Sequence, residues 1–329
     1  MKTILVISGG SSLEHNVSLL SGYSVSKAIL ELNYNLISLC ITKNNIWKYS
    51  SLPNILFQNP NNINKISINL SCPTLNNINE INFDIVFITM HGKYGEDGKI
   101  QGFLEMNNIN YIGCDLNTSI LCIDKHLTKL LANSIGIKIV DFKVFYKWDK
   151  INKKEIFDTL GNDIIIKIAN GGSSFGVYKT NLLNFDKNLK KAFLLDNKII
   201  IEKYCQSTEV CLGILGKNSN YELGDIKYMN SNGVFDFNNK YVLNNSKINF
   251  NLSNEVRIII NEITLKLAKL INIKDFARFD YFIDKTNKVY LNEINTIPGL
   301  IYKKSTFASS FESKYNYNQL IDNIINSEE

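Results

Sequence analysis

Residues 277–299 read Ala277-Arg278-Phe279-Asp280-Tyr281-Phe282-Ile283, a turn-like Asp284-Lys285-Thr286-Asn287, then Lys288-Val289-Tyr290-Leu291-Asn292-Glu293-Ile294-Asn295-Thr296-Ile297-Pro298-Gly299. Two runs rich in aromatic and branched residues around a polar turn predict a β-hairpin. Pairing Ile283 with Lys288 sets Asp280 opposite Leu291 and makes Glu293 its diagonal neighbour, roughly 7–8 Å away on the same face. Asn295 shares that face, because side chains alternate along a strand. Two carboxylates and an amide on strands suit a hard cation, and Mg²⁺ takes a few protein oxygens and leaves the rest of its shell to water and phosphate. Strands disfavour Asp, Asn and Glu, so the cluster argues for a metal-nucleotide site over idle, solvated strand ends. Among the 36 basic residues only Arg257 and Arg278 are arginine. A planar guanidinium two residues before Asp280 suits an oxyanion or phosphate in a way that lysine does not.

Working upstream, Val256, Ile259, Ile260, Ile263, Leu267 and Leu270 recur at helical spacing and predict an amphipathic helix over 255–271. A middle block holds strand patterns at 164–168, from 177, at 197–203 and at 207–216, and reads as a small α+β unit. Ser119 to Gly136 reads as one helix containing Asp124-Lys125. At the N-terminus a strand at 3–7, a Gly-Gly turn, a helix at about 17–32 and short apolar runs at 36–42 and 85–89 predict an α/β unit with a parallel sheet. Residues 53–82, rich in Asn and Pro, read as a meandering connection. The expected division is 1–120, 121–215 and 216–329.

The chain's 329 residues suffice for two or three domains. Its net charge of +5 is spread as single lysines, which is no nucleic-acid footprint. The six cysteines form no C-x-x-C pair and no zinc spacing, and read as thiols in a reducing compartment. No apolar run approaches the roughly 18 residues of a membrane span, and the first is too short for a signal-peptide core. A cytoplasmic protein is the simplest expectation.

Three further segments carry chemistry. Gly171-Gly172-Ser173-Ser174-Phe175-Gly176 lies between two strands and offers consecutive backbone N–H groups to phosphate oxygens, but it is neither a dinucleotide fingerprint nor a Walker loop. Lys167, amid Ile164-Ile165-Ile166 and Ile168, is half-buried and aimed at an anion. Glu202 and Glu209 sit at the end of an apolar strand and just beyond it, where a carboxylate can accept from an adenine amine or ribose hydroxyls, or equally be a solvated strand end. Gly9 to Ser18 and Met90 to Gly98 follow strands at the edge where open α/β sheets place ligands. Of the histidines, His91 is the one expected to face a ligand, with His15 and His126 structural.

Gly9-Gly10-Ser11-Ser12-Leu13-Glu14-His15-Asn16-Val17-Ser18, the run His91 to Gly102, Asp124-Lys125, Gly172 to Gly176, Glu202-Lys203, Lys240-Tyr241, Arg278-Phe279-Asp280 and Asn292 to Gly299 occur in this order. Together they closely resemble the D-alanine-D-alanine ligases of the ATP-grasp superfamily, over almost the whole chain. The resemblance implies a three-domain ATP-grasp fold, α/β and α+β, with an N-terminal Rossmann-like parallel sheet domain, and ATP-dependent synthesis of D-alanyl-D-alanine through an acylphosphate for peptidoglycan precursors. By it, Lys125, Lys167 and Ser174 contact nucleotide phosphates, and Glu202, Lys203 and Glu209 hold adenine and ribose. Asp280, Glu293 and Asn295 hold two Mg²⁺ or Mn²⁺ ions, with Glu293 shared. Glu14 takes the ammonium of the first D-alanine, and His91 lies beside its carboxylate. Lys240 and Tyr241 belong to a mobile loop, with Tyr241 linked to Ser173 and Glu14. Arg278 and the Gly299 N–H stabilise the tetrahedral oxyanion. A tyrosine at position 241 accompanies dipeptide rather than ester formation in this family, and a homodimer is the expected assembly. The chain departs from the family pattern twice. Ile168 replaces the usual Pro, and Lys304 falls where a Ser for the second substrate's carboxylate is usual, with Ser305 one residue on. A ligase using another second substrate such as D-serine, and a regulatory nucleotide-binding protein without turnover, are the rival readings.

Overall fold

The computed structural model describes residues 1–172, 175–229 and 252–327; Ser173, Ser174, Lys240 and Tyr241 lie outside them. The first sheet is built on Thr3–Gly9 (β1), Asn35–Ile41 (β2) and Trp47–Ser50 (β3). A connection with a two-stranded ribbon, Phe57–Gln58 (β4) with Ser67–Ile68 (β5), leads to Ile85–Ile88 (β6) and Tyr111–Ile112 (β7). The order is β3-β2-β1-β6-β7, with only the β3 edge antiparallel. Ile4 to Ile7 in central β1 are fully buried, the continuous apolar reading of a strand covered on both faces.

The second sheet is wholly antiparallel: Phe142–Tyr146 (β8), Ile164–Ile168 (β9), Val177–Thr180 (β10) and Lys198–Lys203 (β11), in the order β10-β9-β11-β8. The third comprises Ser207–Lys217 (β12), Asn220–Leu223 (β13), Lys227–Tyr228 (β14), Phe276–Asp284 (β15) and Val289–Asn295 (β16), with β12 and β15 central. One face of this sheet packs Val210, Leu212, Phe279, Tyr281 and Leu291 against Val256, Ile260 and Leu267 of the helix Asn254–Leu270. The opposite face is left for chemistry.

Two expectations are corrected. The β15–β16 register pairs Ile283 with Val289 and Tyr281 with Leu291, then slips by one residue so that Asp280 faces Glu293 directly. Asn292 is the extra residue of a β-bulge. The bulge lets Leu291 stay on the core face while Glu293 and Asn295 return to the face of Asp280. The single helix over 119–136 is two, Leu116–Ile123 and Lys125–Ser134. Asp124 breaks it by adopting an extended backbone (φ −81°, ψ 100°) and accepting from the His126 and Leu127 N–H groups, the preferred N-cap chemistry.

At the end of the chain the helix Tyr317–Ile325 packs Leu320, Ile321, Ile324 and Ile325 into the core that holds Ile4, Val6, Val25 and Phe87. The Tyr34 hydroxyl donates to Asp322 at 2.7 Å. The C-terminal segment is therefore part of the first sheet's cover.

Candidate active site

The free face of the third sheet builds the charged centre. In the β12–β15 register Glu209 lies opposite Phe282, Cys211 opposite Asp280 and Gly213 opposite Arg278. Asp280 is fully buried and accepts from Arg278 Nε and a terminal guanidinium nitrogen, both at 2.7 Å, and from Asn295 Nδ2 at 3.1 Å. Arg278 also donates to Thr306 Oγ1 at 3.1 Å. The pair is bidentate, the strong geometry for guanidinium and carboxylate. Asp280, Glu293 and Asn295 thus present hard oxygen donors on one face, a set that fits a divalent cation.

Three lysines reach this centre from two other elements. Lys125, at the start of its helix, donates to the Gly171 carbonyl and lies 3.3 Å from Glu293 Oε2. Lys167 on β9 lies 2.6 Å from Glu202 Oε2, bonds Asn292 Oδ1 at 3.2 Å and stands 5.5 Å from the Phe282 ring centre. Lys129 lies 2.9 Å from Glu202 Oε1. Burial alone would raise the Glu202 carboxyl, but the Lys129 and Lys167 charges outweigh it and hold it at about 2. The bulged Asn292 also donates to Glu209 Oε1 at 3.4 Å, joining both expected base-and-ribose carboxylates to one network. Lys203 points its side chain to solvent, away from this network.

From the first sheet, the loops after neighbouring β1 and β6 bring Glu14, His91 and Glu96. A Cβ on Gly92 would stand 2.4 Å from Glu14 Oε2, and one on Gly172 3.3 Å from it. Glu14 is thus wedged between the His91 loop and the glycine loop. Glu96 accepts from the Gly92 N–H at 2.7 Å, and burial, reinforced by Glu14, pushes its carboxyl up to about 8. His91 bonds the Ile297 carbonyl through Nδ1 at 3.0 Å and Ser21 Oγ through Nε2 at 2.9 Å. Burial drops its pKa to about 4, so the ring is neutral. Nδ1–H then donates to Ile297, and Nε2 accepts from the Ser21 hydroxyl. Both nitrogens serve to tie the first sheet to the 297–300 turn, whose Leu300 N–H donates to Ser21 Oγ at 3.2 Å.

Beyond Arg278 a small cavity is lined by Met229, Gly299, Ile301, Lys304, Ser305 and Thr306. Ser305 is buried and committed: its hydroxyl donates to the Gly299 carbonyl and accepts from the Ala308 N–H at 2.9 Å as the N-cap of Thr306–Ser310. Lys304 is exposed and lines both this cavity and a larger one of about 530 Å³ beside the helix His15–Glu31. Ile168, where Pro was expected, is buried beneath Gly171 and Gly176 and packs closely on both.

The structure therefore gathers Glu14, His91, Lys125, Lys167, Glu202, Glu209, Arg278, Asp280, Glu293, Asn295, Gly299 and Ser305 around the meeting of three sheets. Sequence reading missed Lys129, Asn292 and Thr306. Lys129 had a signal, being four residues after Lys125 on the same helical face. Asn292 and Thr306 had none, since their placement depends on the bulge and on the packing of a short helix.

Two family models match the chain, "D-ala D-ala ligase N-terminus" over residues 3–114 and "D-ala D-ala ligase C-terminus" over residues 131–326. The chain is 32% identical to a D-alanine–D-alanine ligase of Caldicellulosiruptor bescii, covering 98% of this chain and 93% of the relative. It is 33% identical to that of Wigglesworthia glossinidia brevipalpis, covering 97% of each. Among solved structures it resembles the D-alanine-D-alanine ligase from Coxiella burnetii (TM-score 0.83, 25% identity, 100% of this chain and 96% of that one). The VanG D-Ala:D-Ser ligase from Enterococcus faecalis is also similar (TM-score 0.80, 28% identity, 98% of each). Matched along both halves by the ligase family models and along nearly its whole length by curated relatives, the chain belongs to the D-alanine–D-alanine ligase family of the ATP-grasp superfamily.

Proposed function

We infer that the chain joins two D-alanines to D-alanyl-D-alanine with cleavage of ATP to ADP and phosphate. The observation that carries this reading is the convergence of Lys125, Lys167 and Arg278 with Asp280, Glu293 and Asn295 on one sheet face. Divalent cations at these last three residues offset phosphate charge when bound. Asp280, Glu293 and Asn295 would hold two such ions, Mg²⁺ or Mn²⁺, with Glu293 serving both.

A carboxylate oxygen of the first D-alanine attacks the γ-phosphorus, and ADP leaves. The amine of the second attacks the acyl carbon, phosphate leaves and the amine loses its proton. Lys125 and Lys167, which rest against Glu293 and Glu202, turn to the phosphates. Glu14 accepts from the first ammonium beside the glycine loop. Arg278 and Gly299 line one small cavity, and the guanidinium and the Gly299 N–H would there stabilise the tetrahedral oxyanion. His91 acts by holding the 297–300 turn rather than by proton transfer, since both its nitrogens are already bonded. By the family resemblance Lys240 and Tyr241 would serve to keep water from the acylphosphate, Tyr241 together with Ser173 and Glu14, and Ser174 would add a phosphate contact. The unit 1–120 supplies the donor subsite, the antiparallel second sheet the nucleotide loop, and the third sheet, which begins with β12 at Ser207, the metal site. The assembly is a homodimer in the cytoplasm; among the described residues no helix is long and apolar enough to cross a membrane.

Lys304 as a point charge and the committed Ser305 favour looser selection of the acceptor, so D-serine is the second reading. Measuring ADP and phosphate release against a panel of D- and L-amino acids tests both. Release dependent on D-alanine is expected. Dominant D-serine incorporation moves the assignment to the second reading, and no release with any amino acid overturns both.

A further inference from the structure

Lys129 and Glu202 are among the most deeply buried charged side chains outside the metal cluster, at 1% and 2% exposure. Their 2.9 Å contact is an ion pair of poor hydrogen-bond alignment, which leaves Lys129 Nζ and Glu202 Oε1 without an aligned partner. The Lys129 ammonium also stands 5.6 Å from the Phe142 ring centre. On its other oxygen Glu202 is held by Lys167 at 2.6 Å. One carboxylate therefore has two lysines, and by the reading above one of them must leave for a phosphate. A buried carboxylate that lost its only cation would be left uncompensated, at a large cost.

We propose that Lys129 is a positioning residue for nucleotide-base recognition: it stays on Glu202 as permanent counter-ion while Lys167 moves to phosphate, keeping Glu202 an ionised acceptor for the exocyclic amine of adenine. This rests on the nucleotide reading of the site. A carboxylate only accepts hydrogen bonds, so it favours the 6-amino group of adenine over the 6-oxo group of hypoxanthine. Lys129 itself is too deeply covered to reach a phosphate. Its role is exerted through Glu202.

The test is calorimetric titration of the full chain with MgATP and with magnesium inosine triphosphate, alongside the KM for D-alanine. Lys129→Met is expected to weaken ATP binding about tenfold or more, to change inosine triphosphate binding far less, and to leave the D-alanine KM unchanged. Lys129→Arg should restore most of the preference. A folded Lys129→Met protein with wild-type ATP affinity and preference overturns the proposal. If that variant does not fold, Lys129→Met/Glu202→Gln removes both charges of the pair, leaves Lys167 bonded to Asn292 Oδ1 and to the introduced amide oxygen, and is expected to fold. The glutamine amide can donate or accept, so this protein should bind the two nucleotides alike; a retained preference for ATP again overturns the proposal. Absence of ATP binding by the wild-type chain would instead defeat the nucleotide reading itself.

Discussion

Asp280 and Glu293 face each other across one register step, yet their substitution has different consequences. Glu293→Gln removes a charge beside Lys125 at a partly open position, and is expected to abolish turnover with little loss of stability. Asp280→Asn also strands the buried Arg278 guanidinium, so it should abolish turnover and cost about 3 kcal/mol of stability as well. Denaturant unfolding beside an ADP-release assay separates the two; equal stability would mean the Arg278 fork is not fixed by Asp280. Arg278→Lys should lose about 10²-fold in kcat as an oxyanion donor, and a rate within a few-fold of wild type would remove it from that role. His91 is neutral in the fold with its pKa depressed to about 4 from an ordinary 6.5, so the unfolded chain takes up the proton first as pH falls. Its contribution is present above pH 6.5 and is lost between 6.5 and 4, about 3 kcal/mol in all. Unfolding midpoints at pH 7 and 5 should differ less in His91→Gln than in wild type. The resemblance placed His91 beside a substrate carboxylate. That both ring nitrogens are spent on Ser21 and Ile297 was not legible, because partners 70 and 206 residues away leave no local pattern.

At the scale of elements, the β15–β16 hairpin was legible from its turn and its branched runs, but its register was not. Residue types in β15 and β16 fit either pairing, and the choice is made by Leu291. It packs into the core beneath the helix Asn254–Leu270, and its N–H donates to the Lys138 carbonyl at 2.9 Å. The break between the helices at 116–123 and 125–134 was legible in principle from an Asp at an N-cap. The helical spacing on either side concealed it. Gly213 sets the distance between β12 and the helix Thr306–Ser310, since a Cβ there would meet Ser310 Oγ at 2.3 Å and the Phe311 ring at 2.7 Å. Gly213→Ala should cost about 1–3 kcal/mol through overpacking. By displacing Thr306 from Arg278 it should also lower kcat more than it raises the ATP KM. Unchanged kinetics would show that Thr306 does not orient the guanidinium. In the same helix Ser305→Ala removes an N-cap, costing about 1 kcal/mol, whereas Lys304→Ala should raise the acceptor KM without affecting stability. In competition at neutral pH, D-alanine should outrun D-serine, with D-lactate poorest. Dominant D-lactate incorporation would contradict the amine preference inferred from Tyr241.

Over the whole molecule, the α/β start, the antiparallel middle and the ligand hairpin were each readable from periodicity. How they close on one another was not, because the contacts that join them, such as Phe87 on Phe276 in the shared core and half-buried Lys198 on Asp124, lie between residues far apart in the chain. Lys198 pairs with Asp124 at 2.7 Å and so links the second sheet to the helix carrying Lys125 and Lys129. The helix Tyr317–Ile325 joins the oldest and youngest parts of the chain, through a Tyr34–Asp322 contact spanning 288 positions. That connection has a consequence during synthesis. A ribosome delivers β1, β2 and β6 long before the helix that covers Ile4, Val6 and Phe87, so the nascent first sheet waits with an apolar side bare, a state prone to sticking. A messenger truncated to stop at Asn316 would encode every lysine, carboxylate and arginine of the catalytic centre, yet its product is expected in the insoluble fraction of a lysate.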